Sequence, residues 1–257
     1  MSIRPVSTML AALHGELALH PWRDPFVASS DAYSLFVARS SAMRWLTETE
    51  ENASGGVWGM NDAGQNSGVS WFQVSLTEPV PADRPLPVQA FLSCAGDVVA
   101  RIGALRLRAV QVLLPVQSLD ASARASSPAR GLATLLQDNG WFADCDPRSR
   151  TRVRVRLESG QDSSVHSAAP EMLQWMQGFK QDVFSCDSFS LTDDDDMVLK
   201  PAVIAERRLG SAHHRATFHG TLAEWSLDAL GWSAAFLAEA SCRYGVRTPL
   251  MLTACQI

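Results

Sequence analysis

The sequence predicts an α+β chain in which a strand-helix-strand unit is used twice. The clearer copy lies near the end. From Arg215 to Trp225 the residues alternate, Phe218, Gly220 and Leu222 on one side, Thr217, His219 and Thr221 on the other. Ser226 then reads as an N-cap, with Asp228 in the first turn where a negative charge suits the helix dipole. Leu227, Leu230, Ala234, Leu237 and Ser241 follow at helical spacing, Tyr244-Gly245 supplies the stop, and Thr248 to Ala254 reads as a buried strand. The earlier copy has the same order. Val69 to Thr77 alternates, Val88 to Ile102 is a buried helix stopped by Gly103, and Leu105 to Val116 is a long strand.

The rest of the chain supplies the remaining pieces. Val6 to His20 reads as a short amphipathic helix with Met9, Leu13 and Leu17 on one face, broken by the prolines of HPWRDP. Tyr33 to Ala38 has strand composition, and Ala42 to Glu51 reads as a helical turn or two. Asn52 to Gly68 is too rich in glycine and asparagine for regular structure and reads as a lid or surface loop. Its glycines match neither GxGxxG nor the GK[ST] of a phosphate loop. A proline-rich joint, EPVPADRPLP, precedes the first buried helix. Leu119 to Pro128 is a Ser/Ala-rich linker, and Ala129 to Asn139 reads as a helix ending at Asn139-Gly140. Trp141 to Cys145 reads as a strand, Arg152 to Glu158 alternates as a clear one, Pro170 to Phe184 is helical with proline in its first turn, and Ser188 to Thr192 is strand-like. Each half, residues 1–118 and 129–257 about a linker at 119–128, would then be a four-stranded sheet carrying two helices, a split-βαβ or ferredoxin-like unit made by internal duplication. The alternative is one continuous mixed sheet with helices on one face.

Composition narrows the function classes. No apolar run approaches the ~20 residues a membrane helix needs, and the N-terminus, interrupted by His14 and Glu16, lacks the features of a signal peptide. A cytoplasmic location with no membrane partner is expected. The net charge of −5 disfavours a dedicated nucleic-acid binder. The charge is uneven, however: between Arg101 and Gly160 ten arginines face five acids. That asymmetry points to an anionic ligand. The five cysteines are scattered, form no CxxC, and read as buried free thiols.

The arginine strand is the most unusual local feature. Arg152, Arg154 and Arg156 project from one side of it, and Arg106 and Arg108 repeat the pattern on the strand from Leu105. Such a face either binds a carboxylate or phosphate or is a solvated surface paired to neighbouring acids. His219, on the same side as Thr217 and Thr221, is the candidate acid or base, against the alternative of a structural histidine. The adjacent His213 and His214 point oppositely and share no metal easily. Four consecutive aspartates, Asp193 to Asp196, also diverge and lack calcium-loop spacing, so neither a metal nor a cofactor is expected. GxSxG and SxxK are absent. Trp58 and Trp71 border the glycine-rich stretch and are candidate pocket members. These features favour a cofactor-independent tailoring enzyme, of cyclase or isomerase type, with a pocket for a small anionic organic molecule. A non-catalytic scaffold with a protein partner and an RNA-binding or RNA-processing module are the alternatives.

Overall fold

The computed structural model describes residues 7–23, 28–46, 57–66, 69–77, 79–121, 124, 130–192, 199 and 214–257. Along them run β1 (Thr8–Leu19), α1 (Ala28–Ala42), β2 (Trp58–Asn66), β3 (Val69–Leu76), α2 (Val88–Ile102), β4 (Gly103–Leu114) and α3 (Arg130–Ala143). There follow β5 (Thr151–Glu158), α4 (Ser164–Gln177), β6 (Phe184–Ser190), β7 (Arg215–Leu222), α5 (Leu227–Arg243) and β8 (Leu250–Gln256). The eight strands form one sheet, in the order β2-β3-β1-β4-β8-β5-β7-β6. Every neighbouring pair is antiparallel, so the sheet is not the mixed one that was the alternative expectation.

Alternation along the strands decides what the sheet covers. Phe72, Ala11, Val112, Leu252, Leu157 and Ala216 lie side by side across six neighbouring strands. They join the buried residues of all five helices in one core, which places the helical layer on this face. Among the described residues the second face has a small apolar cluster of its own, Leu10, Leu113 and Met251 with Trp71 beside it.

The elements near the middle of the sheet form as the sequence predicts. In α2 the buried residues Val88, Phe91, Leu92, Ala95, Val98, Val99 and Ile102 recur at three- and four-residue spacing. In α5, Ser226 Oγ accepts the Ala229 N–H at 3.1 Å, and Gly245 ends the helix region with φ +90°. This helix is buried on all sides from Ala229 to Cys242, and its small residues let α2 approach closely. A Cβ on Gly231 would lie 2.6 Å from Gln89 Cα of α2.

Five expectations are corrected. Residues 8–19 are the strand β1 and not an amphipathic helix. Met9, Ala11 and Leu13 face the helices while Leu10, Ala12 and His14 face the other way, and both sets are buried. A strand covered on both faces shows no polar alternation to read. Residues 33–38 belong to the helix α1, whose buried Ala32, Phe36 and Ser40 recur every fourth residue. The glycine-rich stretch contains the edge strand β2, with Gly64 laid against the Trp71 indole, where a Cβ would be 2.8 Å away. Positions 52–56 and 67–68 of that stretch lie outside the described residues. The helix α3 runs through Asn139-Gly140 to Ala143, which removes the expected strand at 141–145. The helix α4 starts at Ser164, so Pro170 sits inside it and not in its first turn.

A buried ion pair ties the linker region to the helical layer. Arg124 Nε donates to both oxygens of Glu239 on α5, at 2.9 and 3.2 Å, and both side chains are buried. Its terminal nitrogens donate to the carbonyls of Val80, Pro81 and Arg84. Replacing Arg124 by Met leaves Glu239 buried without a counter-ion, at an expected cost of about 3–5 kcal/mol. Urea unfolding at pH 7 measures it. Gly231→Ala overpacks the contact between α2 and α5, and the same assay is expected to show a loss of about 1–3 kcal/mol.

Candidate functional site

The arginines emerge on the second face of the sheet, away from the helices. Register fixes their neighbours: Arg154 stands between His219 of β7 and Cys255 of β8. Arg156 stands between Thr217 and Thr253, and Arg152 lies opposite Thr221. Ser188 and Ser190 of β6 extend the two rows beyond His219 and Thr217. On the other side the rows continue through Ala109 and Gln111 of β4 to His14 and Ala12 of β1. Directly opposed side chains on such rows have Cβ atoms about 4.5–5.5 Å apart, close enough to act on one small ligand.

The three guanidinium groups differ in how their charge is met. Arg152 is exposed and its Nη2 lies 3.9 Å from Asp187, which occupies a bulge in β6. Arg156 is buried, with Nη1 3.8 Å from Glu158 two residues along the same face. Arg154 makes no ion pair or hydrogen bond among the described residues, and its Nε is buried without a partner. An unpartnered buried donor on a charged group is costly, and an acceptor is what it lacks.

No family model matches this chain, and the comparisons with curated proteins and with solved structures return no match.

The other expected residues are more scattered. Arg106 and Arg108 are exposed on the first part of β4, in a stretch that pairs with β1 and not with β8. Arg108 forms an ion pair with Glu16, the residue opposite Arg106. Trp58 and Trp71 do not share a pocket. Trp58 is fully buried on the helical side, stacked on Trp45 with ring centroids 5.2 Å apart, whereas Trp71 lies half-buried on the second face. His214 sits with its ring 6.1 Å from that of His166. His213 and Asp193 to Asp196 lie outside the described residues. Among the described residues no group of three acids, histidines or cysteines is placed to hold a metal, and no helix is long and apolar enough to cross a membrane.

The thiols are poor nucleophiles where burial acts on them. Burial pushes Cys186 up to about 12 and Cys94 up to about 11, and raises Cys242 and Cys145 as well. A thiol so displaced is protonated at neutral pH.

A cavity of about 1320 Å³ lies elsewhere, on the helical side. Trp45, Met43 and Arg39 at the end of α1 form one wall, the prolines of the 79–87 joint another, and Trp141 of α3 stands at the rim. The proline-rich joint and an exposed tryptophan beside Asn139-Gly140 were the signals for it. Sequence alone shows them only as a connection and a strand.

His14, in the row of Arg154, gives the second face a pH dependence. It is buried and its Nε2 lies 2.9 Å from Gln111 Oε1. Burial lowers its proton affinity, and the Gln111 hydrogen bond offsets that in part. The folded protein therefore keeps His14 neutral at pH values where the unfolded chain protonates it. Stability from this residue is complete above the ordinary histidine value of about 6.5 and is lost as pH falls through the depressed folded value. Melting temperatures between pH 8 and pH 5 should fall less in His14→Gln than in the wild type.

Proposed function

We propose that the chain binds a small anionic organic molecule on the second face of the sheet, with Arg154 as the principal anchor. The observation that carries this reading is the buried Nε of Arg154 with no acceptor, on a face where Arg152 and Arg156 have carboxylates near them. A carboxylate or phosphate supplies the missing acceptor and forms the bidentate contact that guanidinium groups favour. His219, opposite Arg154, is the proton donor or acceptor in this reading, and Thr217, Thr253 and Ser188 provide neutral hydrogen-bonding groups around it. The reaction class that fits is proton transfer on the bound anion, as in an isomerase or cyclase without a cofactor.

The strand order supports a further part of the proposal, namely that two split-βαβ units were joined by duplication. Among the described residues the first half runs strand, helix, strand, strand, helix, strand, and the second repeats that order from β5, after the additional helix α3. The order β2-β3-β1-β4 of the first half is matched by β6-β7-β5-β8 of the second, with β4 beside β8. In both, the third and fourth strands flank the first and are antiparallel to it, so they run parallel to each other across a helical crossover. Residues 1–118 and 129–257 are then the two units, and the ligand belongs to the second.

Replacement of Arg154 by Met tests the site. In the wild type, benzoate and inorganic phosphate should each raise the melting temperature with saturation, because a ligand bound only by the folded state stabilises it. In Arg154→Met that increase should vanish, while the melting temperature without ligand stays close to that of the wild type. A large loss of stability with the ligand response intact assigns Arg154 to the fold and ends the proposal.

A further inference from the structure

We propose that the groove on the helical side is a second binding site, for an organic cation with an apolar body. This goes beyond the anion site, which lies on the other face of the sheet. The main groove, of about 1320 Å³, adjoins a smaller cavity of about 540 Å³, the two sharing Ser93, Asp97, Trp141 and Asp228 in their walls. Their joint size exceeds the ~300–1000 Å³ of an ordinary ligand pocket, so the occupant is an extended molecule.

The two ends differ in chemistry. At the main end Met43, Trp45, Val80 and the prolines 79, 81, 85 and 87 offer apolar surface. The smaller cavity is acidic: Asp97, Asp144, Glu224 and Asp228 line it, and among the described residues no lysine, arginine or histidine does.

Internal partners neutralise only part of that charge. Arg39 pairs with Asp97, its Nε 2.7 Å from Oδ2. Ser93 Oγ donates to Asp228 Oδ1 at 2.6 Å, and Asp228 also lies in the first turn of α5, where the helix dipole favours it. Asp144 and Glu224 have no cationic partner among the described residues. Their field is felt by the Cys145 thiol, which sits 3.5 Å from Glu224 Oε2 and is raised by burial first and by Glu224 and Asp144 after that.

Trp141 completes the recognition. Its indole is 73% exposed at the junction of the two cavities, an arrangement in which a large aromatic is not serving the core. Its face attracts an ammonium or guanidinium group, and the carboxylates that line the smaller cavity with it hold the charge in place. An anion is repelled there, and an uncharged ligand leaves the carboxylates without a counter-charge. The chemistry that fits is an alkyl or aryl amine, quaternary ammonium or guanidine, its body along the proline-rich wall.

Titration calorimetry on the full chain at low salt, with three probes of one body size, tests this: hexyltrimethylammonium, hexanol and hexanoate. The cation should bind at least tenfold more tightly than either of the others, and its affinity should fall with added salt. The double variant Asp144→Asn/Glu224→Gln should lose at least tenfold in affinity for the cation. Trp141→Leu should weaken it and abolish the change in tryptophan fluorescence. Arg154→Met should leave cation binding unchanged, which separates this site from the anion site. Equal affinity for cation and alcohol overturns the proposal, as does full cation affinity in the double variant. A double variant that melts as the wild type does while losing the cation supports it, and if that variant is unstable the salt dependence and the probe ranking in the wild type decide.

Discussion

The pairing of β4 with β8 is the constraint on which the rest of the architecture depends. Six residue pairs, from Ala109–Cys255 to Leu114–Leu250, join what would otherwise be two exposed sheet edges. On the helical side of the seam lie Val110 and Ala254, Val112 and Leu252, Leu114 and Leu250, all buried. Because α2 leads directly into β4 and α5 precedes β8, adjacent strands oblige the two helices to lie side by side over the seam. Two helices held that close need small residues between them. Gly231 against Gln89 meets that need, and so does the run of alanine and serine in α5. Burying α5 on every side also buries Glu239, and only the several bonds of Arg124 make a carboxylate tolerable there.

Legibility in the sequence follows from contrast. In α2 and in the strands β5 and β7, buried and polar positions alternate with a clean period, so each could be read without tertiary information. For β1 this fails because it lies at the centre of its half of the sheet, between β3 and β4, and both its faces are buried. Apolar residues then fall at every position, and a helical spacing can be picked out of them by chance. The opposite failure hides β2. It is an edge strand rich in glycine, asparagine and glutamine, and pairing with β3 holds it in place where its own composition does not. The misreading of α1 has a third cause: Tyr33, Phe36 and Val37 have strand composition, and the four-residue spacing of Ala32, Phe36 and Ser40 includes a serine that carries no apolar signal.

The candidate site was partly legible for the same reasons. Alternation alone places Arg152, Arg154 and Arg156 on one face. Which of them finds an acid depends on long-range register, and sequence does not contain that. Asp187 reaches Arg152 from a bulge in β6, whereas the position opposite Arg154 is occupied by His219. The tryptophans show how fragile such inferences are. A register shift between Trp58 and Met60 turns Trp58 to the helical side, opposite Leu76, while Trp71 keeps to the second face. One irregular residue therefore puts the two side chains on opposite faces, and six positions along β2 already separate Trp58 from Gly64, the residue opposite Trp71.

The two proposed sites call for ligands of opposite charge, and the fold keeps arginines and acids on separate surfaces in a chain of modest net charge. Arginines are gathered on β5, whose backbone is shared with the core, and the acids of the cleft stand on α2 (Asp97), on α5 (Asp228), in the segment before α5 (Glu224) and just after α3 (Asp144). Between the two surfaces lies a full layer of buried apolar side chains. A helix layer packs on a sheet at a distance comparable to the ~8–10 Å over which physiological salt screens exposed charges. Each surface is bathed by its own solvent, so the positive field on the sheet and the negative field in the cleft are not averaged to the small net value of the whole. The physical unit of recognition is then the face and not the chain. An overall charge of −5 is therefore no argument against the proposed anion site on the second face of the sheet, where Arg154 makes no ion pair or hydrogen bond among the described residues.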